Sequence, residues 1–199
     1  MNAKISETGF WDGENAHKHH VHSPMLSEWI AKLLSSTFDL VPDNNAKNKR
    51  VYDYGAGLGF YLKHLEDNGF TNLVGFEGDP PKQKVFSGMW KQDLTQPIPE
   101  AFAEKGHVIM LEVGEHVPAE FQDALIDNVI KMCKGYLILS WAVPGQAGYG
   151  HVNCLSNEDV ISYLEAKGFV YLDVLTNESR QYVDDNTPWF RNTLMIFYK

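Results

Sequence analysis

The stretch Val51-Tyr-Asp53-Tyr-Gly55-Ala-Gly57-Leu-Gly59 most constrains what this chain can become. Val51 and Tyr52 favour a strand, the alternating glycines allow a tight turn and a close backbone approach to a ligand, and Phe60 to Leu65 restart a helical apolar pattern. The unit reads as strand, ligand-cradling loop and helix. A dinucleotide loop would space its glycines G-x-G-x-x-G, and position 60 would then be glycine, whereas it is Phe60.

A second short apolar strand, Leu73-Val-Gly-Phe-Glu77, ends on a carboxylate about twenty residues after the loop. One carboxylate can accept from both hydroxyls of a ribose, so Glu77 is a candidate ligand contact, the alternative being a solvated acid in the Gly78-Asp79-Pro80 turn. Asp93-Leu94 follows a third candidate strand. Asp93 suits the turn before Pro97.

These residues resemble the first motif of the class I S-adenosylmethionine-dependent methyltransferases, D-x-G-x-G-x-G, matched at Asp53, Gly55, Gly57 and Gly59. The resemblance implies S-adenosylmethionine as cofactor, with Asp53 at its methionine end and the glycine backbone beneath its amino acid and ribose. The resemblance also places an acid and an apolar residue against the adenine, which implies that Asp93 accepts from the adenine amino group with Leu94 as an apolar wall or backbone donor. It implies an α/β, doubly wound, mostly parallel seven-stranded sheet of Rossmann-like methyltransferase type with an antiparallel last strand. Strands are expected at 51–54, 73–77, 88–92, 107–111, 135–141, 169–175 and 192–198, and helices at 59–68, 119–132 and 157–167. Ser23-Pro24 should open a further helix running to about Phe38, so that residues 1–48 form an N-terminal helical lid on a methyltransferase domain at 49–199.

After the fourth strand comes Glu112-Val-Gly-Glu115-His116, a spacing that can hold a metal if the chain turns into a helix there. His151, in the loop Pro144-Gly-Gln-Ala-Gly-Tyr-Gly150, could complete the set. This E-x-x-E-H run is similar to that of the ubiquinone-biosynthesis O-methyltransferases and the small-RNA terminal 2′-O-methyltransferases. The resemblance implies a divalent cation (Mg, Mn, Fe or Zn) held by Glu112, Glu115, His116 and His151, gripping adjacent hydroxyls of the acceptor. It also admits Glu112 as a cofactor contact. Without metal, Glu115, His116 and His151 remain the catalytic candidates, with a histidine as general base. Acids at a helix start are also favoured simply by its dipole.

Trp141, Tyr149, His20, His22 and Arg191 are candidate substrate contacts; core packing for Trp141 and a surface ion pair for Arg191 are the competing readings. His17, His19, His20 and His22 lack companion cysteines or acids at fixed spacing and read as a lid or solvated segment.

The 199 residues are 44% hydrophobic and 13% aromatic, enough for one domain with a full core. A net charge of −9 disfavours a nucleic-acid footprint, and no basic cluster appears beyond Lys47-Asn-Lys-Arg50. Cys133 and Cys154 suit neither a zinc finger nor a disulfide framework. No apolar run spans a bilayer and no secretory-type segment opens the chain, so a cytoplasmic protein without membrane contact is expected, as monomer or homodimer. The expected function is S-adenosylmethionine-dependent O-methylation of a small hydroxylated metabolite or sugar. The alternatives are a terminal RNA 2′-O-methyltransferase and a non-catalytic S-adenosylmethionine-binding partner protein.

Overall fold

The computed structural model describes residues 4–12, 20–35 and 45–199. His17, His19 and the expected end of the first helix near Phe38 lie outside the described residues.

Seven strands form one sheet: β3 (Val51–Tyr54), β4 (Leu73–Glu77), β5 (Met89–Lys91), β6 (Gly106–Met110), β7 (Cys133–Ser140), β8 (Val170–Tyr171) and β9 (Leu194–Tyr198), in the order β5-β4-β3-β6-β7-β9-β8. β5, β4, β3, β6 and β7 pair in parallel, and β9 runs antiparallel between β7 and β8. A separate hairpin, β1 (Lys4–Ile5) with β2 (Trp11–Asp12), precedes them. The helices are α1 (Pro24–Ser35), α2 (Phe60–Asp67), α3 (Gln122–Met132), α4 (Asn157–Ala166), α5 (Asp173–Ser179) and the one-turn α6 (Phe190–Thr193).

The central strands are apolar on both faces because helices cover both. The two-residue period splits them: Tyr52, Tyr54, Val108 and Met110 pack in one core with Leu125, Val129 and Leu164 of α3 and α4. Val51, Ile109 and Ile138 pack in the other with Leu26, Ile30, Leu62 and Leu65 of α1 and α2. Asp53 shares the face of Val51 at the carboxyl end of β3, where the turn to α2 begins. β3 pairs Asp53 with Gly75 on one side and Ile109 on the other, which puts the ends of β3, β4 and β6 at one edge.

Ser23 caps α1 as expected. Its Oγ accepts from the Leu26 N–H at 3.3 Å and donates to Asp184 Oδ2 at 2.6 Å, and the Met25 N–H donates to the same carboxylate at 2.9 Å. These contacts hold the Asp184 carboxyl below its usual range.

Several expected elements differ: the strand expected at 135–141 already begins at Cys133. The strand expected at 169–175 stops at Tyr171, because Asp173 opens α5 and the Thr176 hydroxyl accepts the Ile196 N–H at 2.9 Å, replacing a ladder carbonyl. The last strand begins at Leu194 rather than 192, since α6 precedes it. A 3-10 turn, Ala119–Phe121, leads into α3. Cys133 and Cys154 are free, and among the described residues no helix is long and apolar enough to cross a membrane.

Phe76 is fully buried, stacked on Tyr52 at 5.7 Å and edge-on to Tyr54 and Phe102. In urea denaturation Phe76→Ala should lose about 3–5 kcal/mol of stability. Val174→Ala, at a position 78% exposed, should stay within about 0.5 kcal/mol.

Candidate active site

The edge that collects the strand ends opens into a cleft of about 310 Å³. On one side the turn after β3 carries positive φ at Gly55 (73°) and Gly57 (57°). A Cβ at Gly55 would strike Val113, and one at Gly57 would strike the His20 ring, so both positions need glycine for space as well as for dihedral. Gly59 starts α2 and faces Phe86, outside the cleft.

Glu77 is 7% exposed, and the N–H groups of Gly57 and Gly78 donate to its two oxygens at 2.8 and 2.9 Å. Each oxygen keeps acceptor capacity toward the cleft. Asp53 is 2% exposed and its Oδ2 has no hydrogen-bond partner. Burial, then the neighbouring Glu77 charge, raise its carboxyl to about 8. Asp93 and Leu94 line the same side. Asp93 Oδ1 accepts from the Thr95 N–H and hydroxyl at 2.9 and 2.8 Å, and Oδ2 accepts from the Thr8 hydroxyl at 2.8 Å.

On the other side β6 leads into Glu112, whose φ of 53° makes it the one non-glycine residue with positive φ among the described residues. Its N–H donates to Ser140 Oγ at 2.8 Å, and its carboxylate accepts from Gln146 Nε2 at 2.6 Å. The helical turn on which the metal-holding spacing was conditional is a 3-10 turn, Gly114–His116. This turn sends Glu115 inward to 0% exposure, beside the Glu112 carboxyl and the backbone N–H groups of Glu115 and Ala142. Burial, then Glu112, push its carboxyl well above the usual range.

The glycine-rich loop lands on this turn, because the Glu115 carbonyl accepts the Val152 and Asn153 N–H groups at 2.8 and 3.0 Å. His151 Nε2 therefore faces Glu115 Oε1 at 3.9 Å while its Nδ1 lies 3.1 Å from the Gln146 carbonyl. The His116 ring meets that of His151 at 5.0 Å, and its Nδ1 lies 3.2 Å from the Gly150 carbonyl. A carbonyl only accepts, so each imidazole donates from Nδ1, which leaves Nε2 as the nitrogen that a neutral ring offers to a ligand or proton. Burial and the nearby His151 and His20 lower His116 to about 4. One atom from each of Glu115, His116 and His151 lies within 4.8 Å of the others. Glu112 stands outside this trio, held by Gln146.

Trp141 does not wall the cleft: it is 1% exposed, packs against Gly114 and donates its indole N–H to the Asn153 carbonyl at 2.7 Å. Arg191 faces away, donating to Asp185 at 2.7 Å and to the Val183 carbonyl at 3.2 Å. Tyr149, His20 and His22 do line it, with His22 stacked on Phe60 at 4.9 Å and bound to Ser27 Oγ at 2.7 Å. Trp189, at the start of α6, also reaches the cleft.

Sequence reading missed the hairpin that covers the cleft. Thr8 binds Asp93, the Phe10 ring lies against Gly78, and Gly9 packs on the His116 carbonyl where a Cβ would clash. Trp11 stacks on His20 at 5.5 Å and stands edge-on to His116 at 5.0 Å. Its one local signal was the run Gly9-Phe10-Trp11.

No protein-family model and no curated protein match the chain. Solved structures do. The sugar N-methyltransferase KedS8 from Streptoalloteichus sp. ATCC 53650 is similar with a TM-score of 0.61 at 14% identity, covering 88% of this chain and 87% of that one. Magnesium protoporphyrin IX methyltransferase (ChlM) from Synechocystis PCC 6803, with bound S-adenosylhomocysteine, gives 0.53 at 20% identity over 73% and 72%. This chain has the methyltransferase fold. The [4+2]-cyclase SpnF shares that fold with a TM-score of 0.52 at 14% identity over 97% and 85%, so the methyltransferase fold alone does not settle the reaction.

Asp53 gives a pH test. Its folded value near 8 exceeds the ordinary 3.8, so the folded state holds the proton longer and the group subtracts stability as pH rises from about 4 to 8. Without ligand, Asp53→Asn should therefore be more stable than wild type by about 1–3 kcal/mol at pH 8 and by nothing below about pH 4, read by denaturation at each pH.

Proposed function

We propose that the protein transfers a methyl group from S-adenosylmethionine to an oxygen of a small hydroxylated acceptor. The observation that carries this is the buried, unpartnered Asp53 oxygen beside the amide-held Glu77 carboxylate, in one cleft with an acid and two imidazoles. An ammonium group at Asp53 would supply the missing partner and return the carboxyl to its charged form, and a ribose diol fits the free acceptor positions of Glu77. The Asp93 side chain is taken by Thr8 and Thr95, which leaves Leu94 and Phe10 as the apolar surroundings for a flat base.

S-adenosylmethionine supplies the methyl: the acceptor oxygen forms the new C–O bond as the C–S bond breaks and its electron pair stays with sulfur in S-adenosylhomocysteine. The residues position and deprotonate. Glu112, between the two halves of the cleft, is fixed by Gln146 and Ser140 to accept from an acceptor hydroxyl. The hydroxyl proton leaves to the Nε2 lone pair of His116 or His151, or to water.

The donor set fits a divalent cation. The buried Glu115 carboxyl faces His151 Nε2 at 3.9 Å, and one carboxylate with two imidazoles suits Mg²⁺, Mn²⁺, Fe²⁺ or Zn²⁺. Bound by Glu115, His116 and His151, such an ion would lower the pKa of a coordinated hydroxyl.

Calorimetry with S-adenosylhomocysteine tests the reading. Micromolar binding is expected, weakened by roughly 10–100-fold in Asp53→Ala and Glu77→Ala, the range for a lost charge-assisted hydrogen bond. Absence of binding sinks it. A separate Mn²⁺ event, lost in Glu115→Gln and in His116→Ala, is expected; its absence assigns proton removal to the imidazoles alone. Cofactor binding with no transfer to any hydroxylated acceptor would favour a non-catalytic binding protein.

A further inference from the structure

We infer that Asn128, which does not line the cleft, is the positioning residue for the base end of the cofactor: from α3 it sets the backbone of the loop at 93–98 that walls that end. The inference rests on the methyl-transfer reading above and adds to it a residue that no contact with ligand would reveal.

Asn128 lies on the core face of α3, three residues after Leu125 and four before Met132, where the helical period calls for an apolar side chain. It is 6% exposed. A buried amide is unfavourable unless its polar atoms are hydrogen-bonded, so a polar residue at this position needs specific partners. The loop supplies them. Asn128 Nδ2 donates to the Leu94 carbonyl at 2.7 Å and to the Gln96 carbonyl at 2.8 Å, and Oδ1 accepts from the Ile98 N–H at 3.3 Å. Carbonyls only accept and a backbone N–H only donates, so the partners themselves fix which way round the amide sits.

Residues 92–99 belong to no strand or helix, so their backbone groups depend on side chains. Gln92 Nε2 closes the loop from within, donating to the Asp93 and Gln96 carbonyls at 2.7 and 3.2 Å. Asn128 ties it to α3, helped by Lys131 Nζ, which donates to the Ile98 carbonyl at 3.2 Å. The helix is in turn pinned to the sheet, because the Tyr54 hydroxyl donates to the Asn128 backbone carbonyl at 3.2 Å. Tyr54 directly follows Asp53 on β3. Two successive contacts of one residue therefore set Leu94, on the proposed base side of the cleft, relative to the strand that carries Asp53. A wall held in place before the ligand arrives spares the ordering cost of binding.

The test uses the full chain and two probes: S-adenosylhomocysteine, and S-ribosylhomocysteine, which has a hydroxyl where the adenine stands. Two variants remove the loop contacts. Asn128→Ala deletes all three, and Asn128→Asp keeps the volume but offers at most one donor to the two carbonyls, so it carries the test if Asn128→Ala does not fold. Val129→Ala, fully buried in the same helix, is the control for destabilisation. In both Asn128 variants S-adenosylhomocysteine affinity should fall by at least about tenfold while that of S-ribosylhomocysteine stays within about twofold, and Val129→Ala should leave the ratio unchanged. An unchanged affinity for S-adenosylhomocysteine, or an equal loss for both probes, overturns the inference. Hydrogen exchange at the amides of residues 93–98 in the ligand-free protein gives a readout independent of either probe. Exchange at least about tenfold faster in Asn128→Asp than in Val129→Ala is expected, equal rates overturn the inference, and this comparison decides alone where S-ribosylhomocysteine binds too weakly to measure. Failure of the wild type to bind S-adenosylhomocysteine is a separate result that removes the methyl-transfer reading itself.

Discussion

Carboxylates buried at the carboxyl edge of a parallel sheet are the constraint on which this molecule depends. Asp53, Glu77 and Glu115 are 2%, 7% and 0% exposed, and an ionised carboxylate taken out of water is unfavourable unless something partners it. Glu77 is partnered by two amides of adjoining turns, which ties the turn after β3 to the end of β4. Asp53 keeps an oxygen without a partner, so the fold holds charge-binding capacity that its own atoms leave unused. A fold that stores such groups at strand ends is organised for a ligand rather than for its own maximum stability.

The covering elements follow from that edge. Residues 4–12 contribute only a two-residue-per-strand hairpin, too small to stand alone, and it settles on the cleft through Thr8 on Asp93, Phe10 on Gly78 and Trp11 on His116 and His20. One end of the hairpin touches the proposed cofactor half and the other the proposed acceptor half. Gly9 makes this approach possible, since any Cβ there would collide with the His116 carbonyl.

Much of the frame was legible in the sequence. The strand ends at Asp53 and Glu77, the glycine turn between β3 and α2, and the Ser23 cap of α1 are local, set by residue type and short spacing. The region after Gly168 was less legible. Val170 to Leu175 is β-prone in composition, yet Asp173 opens a helix and the Thr176 hydroxyl takes over a ladder position, a substitution visible only once Ile196 is beside it. The backbone after Glu112 was open in the sequence for a similar reason: Gly114 packs on Trp141, and the segment closes as one 3-10 turn.

By itself the sequence determined the order of strands and helices from α1 to α4 and the identity of the acids at the strand ends, because periodicity and turn chemistry act over a few residues. Tertiary structure decided which distant groups meet. The Glu115 carbonyl captures the amides of Val152 and Asn153, and that pairing brings His151 at the end of the glycine-rich loop to Glu115 and His116. Trp141 went into the core and Arg191 to the surface, although both sit in segments that border the cleft. Contacts between residues tens of positions apart depend on how packed elements orient a loop, and spacing along the chain carries no record of that orientation.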